Sequence, residues 1–504
     1  MFNNLSRRGF LGSAAGVAGS AFSAGSLQSQ QTSEIWEPDK PMVVTGKELR
    51  VKPVLMYDLP KRREATSWRN WGGIMTEQDV SDEVNRIMGE HQALSTMADF
   101  PLKILPLVQI RTEADAKAVR DSGDYDVMLV YAASSGGNVL ESCVSPDKWN
   151  LVFVRHKSGP TYLWYEIVHC RFLRKGGQNF ELNNYRYPGG MDVWDVVVDN
   201  QNDLLWRFRA LYGLKNFLGK KIVALGGAGG WGCPQAPQLS KDKFKTDIRI
   251  VDYPDLERRI KSARADANLV NWSERCANRY LGQSSTSLET DKKFVANAFI
   301  LYKIIKDYLY ENNAQAFTIL NCMSTVMPIA ETTACLPLSL LNDEGLLAFC
   351  ESDFDIIPSG ILLHYICGKP VFLNDPTYPH HGIVTVAHCT SPRRMDGKYY
   401  EGARVVTHFE SDYGATPKVE YRKGQVVTMI DTDVSQERWV GFKGTVIDSP
   451  FLPICRSQCD VEINGDWEKF LEEMRGFHWM MSYGDYVKEM GYAVKKAGLK
   501  WLQV

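Results

Sequence analysis

Two short apolar runs, residues 345–349 and 370–373, each lead directly to an acid: Glu351 in Cys350-Glu351-Ser352-Asp353, and Asp375 in Asn374-Asp375. A carboxylate at the end of a buried strand loses hydration unless a cation or a hydrogen-bonding base meets it. Residues 356–367, between the two runs, are almost wholly apolar and long enough for a crossover helix. The pattern predicts a strand, a helix and a parallel strand. Such a unit would set Glu351 and Asp375 on one edge of an open α/β sheet, where such sheets bind ligands.

The N-terminus carries an address. Ser6-Arg7-Arg8-Gly9-Phe10-Leu11 has the form of a twin-arginine export signal, and the Gly/Ala/Ser-rich stretch after it is too short and too polar to span a membrane. Residues 1–34 therefore read as signal peptide and linker, and the expected location is periplasmic. No later stretch reaches the roughly 18 apolar residues of a spanning helix, so no integral membrane segment is expected in the mature protein. The 11 cysteines are odd in number, contain no CxxC pair and read as buried small hydrophobes. A net charge of −2 gives no footprint for nucleic acid.

Along the chain the pattern changes three times. In residues 46–211, apolar strands (102–108, 127–132, 151–155) alternate with helical segments (77–93, 113–121), which argues for a parallel sheet covered by helices. The loop Thr66-Ser67-Trp68-Arg69-Asn70-Trp71-Gly72-Gly73 offers Trp71 as a sugar-stacking candidate. Residues 212–378 read as a second α/β domain that carries the acid pair. It opens with a strand at 221–225 and continues through helices at 291–311 and 329–341, with a strand at 317–322 between them. Its loop Gly226-Gly227-Ala228-Gly229-Gly230-Trp231-Gly232 lacks GxGxxG spacing and a Walker lysine, so it predicts close backbone approach rather than a phosphate cradle. Residues 379–504 hold short β-runs between Gly/Asp/Lys turns, the mark of an antiparallel barrel or sandwich, followed by terminal helices.

Five motifs carry a family resemblance. They are Cys350-Glu351-Ser352-Asp353, Pro370-Val371-Phe372-Leu373-Asn374-Asp375, Ala387-His388-Cys389-Thr390-Ser391-Pro392-Arg393-Arg394-Met395-Asp396-Gly397, Thr407-His408-Phe409-Glu410-Ser411-Asp412-Tyr413-Gly414, and Phe477-His478-Trp479 with Tyr483-Gly484-Asp485. In these the C-terminal half resembles the L-fucose/L-arabinose isomerase superfamily, in its fucose isomerase-like branch. The resemblance implies two Rossmann-like α/β domains with parallel sheets, followed by a C-terminal antiparallel β-barrel domain. It also implies a homo-oligomer (trimer or hexamer), a small sugar substrate and a divalent metal, Mn²⁺ above all. Glu351, Asp375 and His478 would be its ligands, with Glu351 and Asp375 also the acid/base pair. His388 would be a fourth ligand or a substrate contact; Asp353, Arg393 and Trp71 are further candidates for substrate binding.

The chemistry is consistent with that set. Moving a proton between C1 and C2 of a sugar needs a base at carbon and a means of holding charge on two oxygens, which a hard cation with carboxylate and imidazole ligands supplies. No cysteine stands at a spacing that would compete for it. Two other classes fit the same residues: a carbohydrate-binding or sensing protein without turnover, and a metal-assisted sugar epimerase or lyase.

Overall fold

The computed structural model describes residues 35–173 and 190–504; the twin-arginine segment and its linker lie outside them. The first sheet is built from β1 (Leu49–Met56), β2 (Leu102–Ile104), β3 (Val108–Ile110), β4 (Val127–Ala132), β5 (Trp149–Val154) and β6 (Val196–Val198). All pairings are parallel, in the order β2-β1-β4-β5-β6, with β3 continuing beside β1 where β2 leaves it. The single strand expected over 102–108 is thus two. Pro106 stands between them, and a residue with no N–H cannot extend a ladder. The helix Glu77–Met97 begins at a reciprocal cap between Thr76 and Asp79 and buries Val80, Ile87 and Leu94.

The second sheet is also parallel. Its strands are β7 (Lys221–Leu225), β8 (Asp247–Val251), β10 (Ala316–Ile319) and β11 (Leu347–Phe349), in the order β11-β10-β7-β8. Between them β9 (Thr286–Leu288) leaves to join another sheet. The helix expected over 329–341 is interrupted: Met327–Ala330 ends at Glu331, whose φ is +48°, and a new helix runs from Cys335 to Asp343.

The third region holds β12 (Phe372–Pro376), β13 (Ile383–His388), β14 (Gly402–Val406), β15 (Thr416–Glu420), β16 (Val426–Thr432), β17 (Arg438–Asp448), β18 (Ser457–Ile463), β19 (Trp479–Tyr483) and β20 (Lys500–Gln503). Six of these close on themselves in the order β16-β19-β12-β13-β18-β17 and back to β16, every pair antiparallel. β20 adds in parallel outside β17, and β14 joins β15 and β9 in a small separate sheet. Two parallel α/β sheets followed by a closed antiparallel barrel is the expected fold class. Among the described residues no helix is long and apolar enough to cross a membrane.

One local expectation fails, and it concerns the acid pair. β12 does not lie parallel beside β11. It sits in the barrel, antiparallel to β13 and β19. The helix Ile357–Cys367 carries the chain from the sheet to the barrel, and all its residues are buried. A crossover helix on a sheet face would keep a solvent stripe; one apolar on every side is packed between layers. The two acids therefore meet across the junction of sheet and barrel rather than along one edge.

Candidate active site at the junction of sheet and barrel

β11 ends at Phe349, and the backbone then turns through two consecutive left-handed residues, Glu351 (φ +62°) and Ser352 (φ +51°). For non-glycine residues such conformations cost about 1–3 kcal/mol each and persist only where surroundings impose them. Here the glycine-rich loop after β7 imposes them. Gly229 N–H donates to Ser352 O at 3.1 Å, and Phe354 N–H donates to Gly229 O at 2.9 Å. Ser352 Oγ donates to Gly227 O at 2.8 Å. A Cβ on Gly226 would lie 2.4 Å from the Tyr253 ring, and one on Gly230 would lie 2.3 Å from Cys233 O. The glycines serve close backbone approach, as their spacing implied.

Asp353 is the post of this arrangement. Its Oδ1 accepts from Trp231 N–H at 3.1 Å and Asp355 N–H at 3.0 Å, and its Oδ2 receives His478 Nδ1 at 2.6 Å. A buried carboxylate can only accept, so Nδ1 of His478 carries the proton and a neutral ring would present a bare Nε2. Asp353 is 1% exposed and does not line the cavity, so its place is behind the histidine and not against a substrate.

The barrel delivers the rest. Asn374 on β12 faces Trp479 on β19, and His478 stands one residue before that pair; on the other side Asp375 faces Ala387 on β13, next to His388. Antiparallel register thus brings two histidines to either side of Asp375. His478 Nε2 is 3.1 Å from Asp375 Oδ1 and 3.4 Å from Glu351 Oε2, and His388 Nε2 is 3.5 Å from Glu351 Oε1. The 3.1 Å contact is an ion pair without hydrogen-bond alignment: Asp375 Oδ1, His388 Nε2 and His478 Nε2 are all buried and have no hydrogen-bond partner. Three orphaned donor atoms converging from separate strands suit a cation in position, count and chemistry. Glu351 adds a carboxylate beside both rings.

Electrostatics couple the four groups. Burial would raise the Glu351 carboxyl, but contacts with His388 and His478 outweigh it and hold the group far below the usual carboxylate range. Burial would lower both histidines; the surrounding acids instead raise His388 to about 9 and His478 to about 11.

In front of it lies a cavity of about 660 Å³, a volume suited to a small molecule. Glu351 and Asp375 face it with side chains 35% and 32% exposed, the buried His388 lines it, and His478 lies behind. Trp231 Nε1 donates to Glu351 Oε2 at 2.9 Å, and its ring stacks on Phe477 with centroids 4.7 Å apart. Both rings are more than half exposed at the cavity mouth.

Two expected substrate contacts lie elsewhere. Arg393 is fully buried, donating to Glu401 O at 3.0 and 3.1 Å and packed between the rings of Tyr280 and Tyr400. Its N–H is held by Asp343 Oδ1 at 2.7 Å, so the Arg393-Arg394 turn is a structural lock. Trp71 is 60% exposed on the first region's loop and is not among the cavity residues. The sequence reading also missed the thiols of this cavity. Cys322, Cys335, Cys350, Cys389 and Cys455 line the cavity with His408, although they are spread over more than a hundred positions. Trp231 could have been found from its place at the end of a glycine loop; the thiols share no local pattern.

No family model matches the chain. It is similar to the sulfoquinovose isomerase of Clostridium sp. (strain MSTE9), with 25% identity over 229 residues that make up 43% of this chain and 51% of that protein. The chain spans about half the length of this curated relative.

Proposed function

We propose that the chain is a divalent-cation-dependent sugar isomerase that interconverts an aldose and a ketose by proton transfer between C1 and C2. The observation that carries this reading is the convergence of the three orphaned atoms, Asp375 Oδ1, His388 Nε2 and His478 Nε2, beside Glu351 at a sugar-sized cavity. The similarity to a sugar isomerase supports the reaction class.

Glu351, Asp375, His478 and His388 are the residues that would hold the cation; mixed oxygen and imidazole donors suit Mn²⁺. Bound there, it supplies Lewis-acid stabilisation for charge developing on the two adjacent sugar oxygens. Asp353 keeps His478 in the tautomer with Nε2 free. Of the two cavity-facing carboxylates, one takes the aldose C2 proton, next to the carbonyl, and delivers it to C1, while the other relays the hydroxyl proton from O2 to O1, so that carbonyl and hydroxyl exchange places. A glutamate whose pKa is held far down by two imidazolium rings is a poor base; Glu351 can act only when those rings are neutral. The stacked Trp231 and Phe477 offer a sugar its apolar face.

The relative's name specifies a sulfonated sugar. The described cavity lining contains no lysine or arginine to receive a sulfonate, so a neutral aldose is the better fit here.

The test is a panel of neutral and sulfonated aldoses and ketoses in D₂O with Mn²⁺-loaded protein, read by NMR. Deuterium should enter C1 or C2 of a neutral sugar. Exchange should fall by about 10²–10⁴-fold in Glu351→Gln, with sugar binding retained. Saturable sugar binding without exchange would replace this reading with a carbohydrate-binding protein; loss of water or inversion at carbon would replace it with a lyase or epimerase.

A further inference from the structure

The cavity has a second wall of different chemistry. Cys335 opens the helix Cys335–Asp343, Cys389 directly follows β13, and His408 follows β14. Their ligating atoms lie within 4.8 Å of one another, and all three residues are buried. Cys455, before β18, lines the same cavity. None of these cysteines is in a disulfide. His408 is weakly engaged: its Nδ1 reaches only Ser411 Oγ, at 3.4 Å.

Three thiols and an imidazole delivered by four separate segments to one wall form a soft donor set. Thiolate and imidazole prefer a d¹⁰ ion such as Zn²⁺ and disfavour Mg²⁺ or Mn²⁺, the reverse of the carboxylate side. In a tetrahedral zinc site with Zn–S near 2.3 Å, donors stand about 3.5–4 Å apart. The observed spread needs only side-chain adjustment to reach that.

We propose that Cys335, Cys389 and His408 form a zinc site in the cavity that Glu351 and Asp375 also face, with Cys455 as its fourth donor. Each cysteine binds as thiolate, its proton passing to solvent. The protein is then a two-ion chain, with a hard cation at the carboxylates and a soft one at the thiols. This site stands on its own donors, whatever reaction the carboxylate side performs.

The experiment uses the full chain, stripped with chelator under reducing conditions and titrated with Co²⁺ as a spectroscopic substitute for zinc. One equivalent should produce a sulfur-to-cobalt charge-transfer band in the near ultraviolet together with intense tetrahedral visible bands. Both should persist in Glu351→Gln and be lost or strongly weakened in Cys335→Ser and His408→Gln. Because a cavity-wall variant could fail to fold, zinc X-ray absorption on the wild-type chain gives a second readout. A first shell containing two or three sulfurs supports the site. A shell of oxygen and nitrogen alone, cobalt spectra without charge transfer, or a Cys335–Cys389 disulfide in the protein as isolated would overturn it.

Discussion

Two buried charge clusters among the described residues are treated in opposite ways. In the first α/β region Arg155 and Glu83 have no exposed side-chain surface, and every contact is returned. Arg155 Nε donates to Glu83 Oε1 at 2.5 Å, while its two NH groups donate to Glu90 at 3.0 and 2.8 Å. Tyr162 also donates to Glu83 Oε1 and Gln201 to Glu90 Oε2, and Arg86 Nε donates to the remaining Glu83 Oε2 at 3.2 Å. At the junction of sheet and barrel, His388 and His478 are buried beside the half-buried Glu351 and Asp375, yet three atoms of this cluster find no hydrogen bond. A closed charge network holds a fold in register; an unclosed one, facing a cavity, is shaped for something that arrives. Saturation of donors and acceptors separates the two.

The contrast can be broken most forcefully at Arg155. Arg155→Met leaves Glu83 and Glu90 without their partner and should destabilise the chain by about 3–5 kcal/mol in chemical denaturation, with Mn²⁺ affinity unchanged. Asp375→Asn in metal-free protein should shift stability by only about 1 kcal/mol, since its ion pair is one-third exposed and lacks hydrogen-bond alignment. Equal losses in the two variants would erase the distinction.

A smaller effect sharpens it from the other side. Asp353→Asn keeps an acceptor for the Trp231 and Asp355 amides but weakens the hold on His478 Nδ1. Divalent affinity, measured by Mn²⁺ titration, should fall about 10–100-fold with little change in thermal stability. Unchanged affinity would mean that His478 is not a ligand.

The smallest effect concerns a buried acid between these extremes. Asp343 accepts from the Arg393 and Arg394 amides through Oδ1, while Oδ2 has no hydrogen-bond partner. Burial, opposed by those amides and the two guanidinium charges, pushes its carboxyl up to about 7. Because the folded value lies above the unfolded one, the folded chain holds the proton longer. Its contribution is complete at low pH and is lost as pH rises through about 7. Between about pH 5 and 7 the stability of Asp343→Asn relative to wild type should improve by about 1 kcal/mol or more, read from paired denaturation curves. A flat difference would place this acid with the saturated network.

Much of the site was legible in the chain because its cause was local. An acid directly after an apolar run is costly wherever it folds, which marked Glu351 and Asp375 before any topology was known. The motif around Phe477-His478-Trp479 singled out the histidine that proves to lie 3.1 Å from Asp375. The glycine loop announced close approach, though not that its partner would be the turn bearing Glu351. Arg393, expected at a substrate, is instead enclosed by the rings of Tyr280 and Tyr400 and the Glu401 carbonyl, and of these Tyr280 is far from it in sequence.

By itself, then, the sequence determined the alternation that builds two parallel sheets, the short β-runs of the barrel, and the acids and histidines that need partners. These follow from periodicity, turn chemistry and the cost of burying charge, all properties of neighbouring residues. Only the tertiary structure decided that β12 belongs to the barrel, that Asp353 stands behind His478, and that Cys335, Cys389, Cys455 and His408 share one wall. Those depend on which strands pair across long separations. A uniformly apolar helix such as Ile357–Cys367 can be read as buried but not as leading from one sheet to another, because burial says nothing about which surface does the covering.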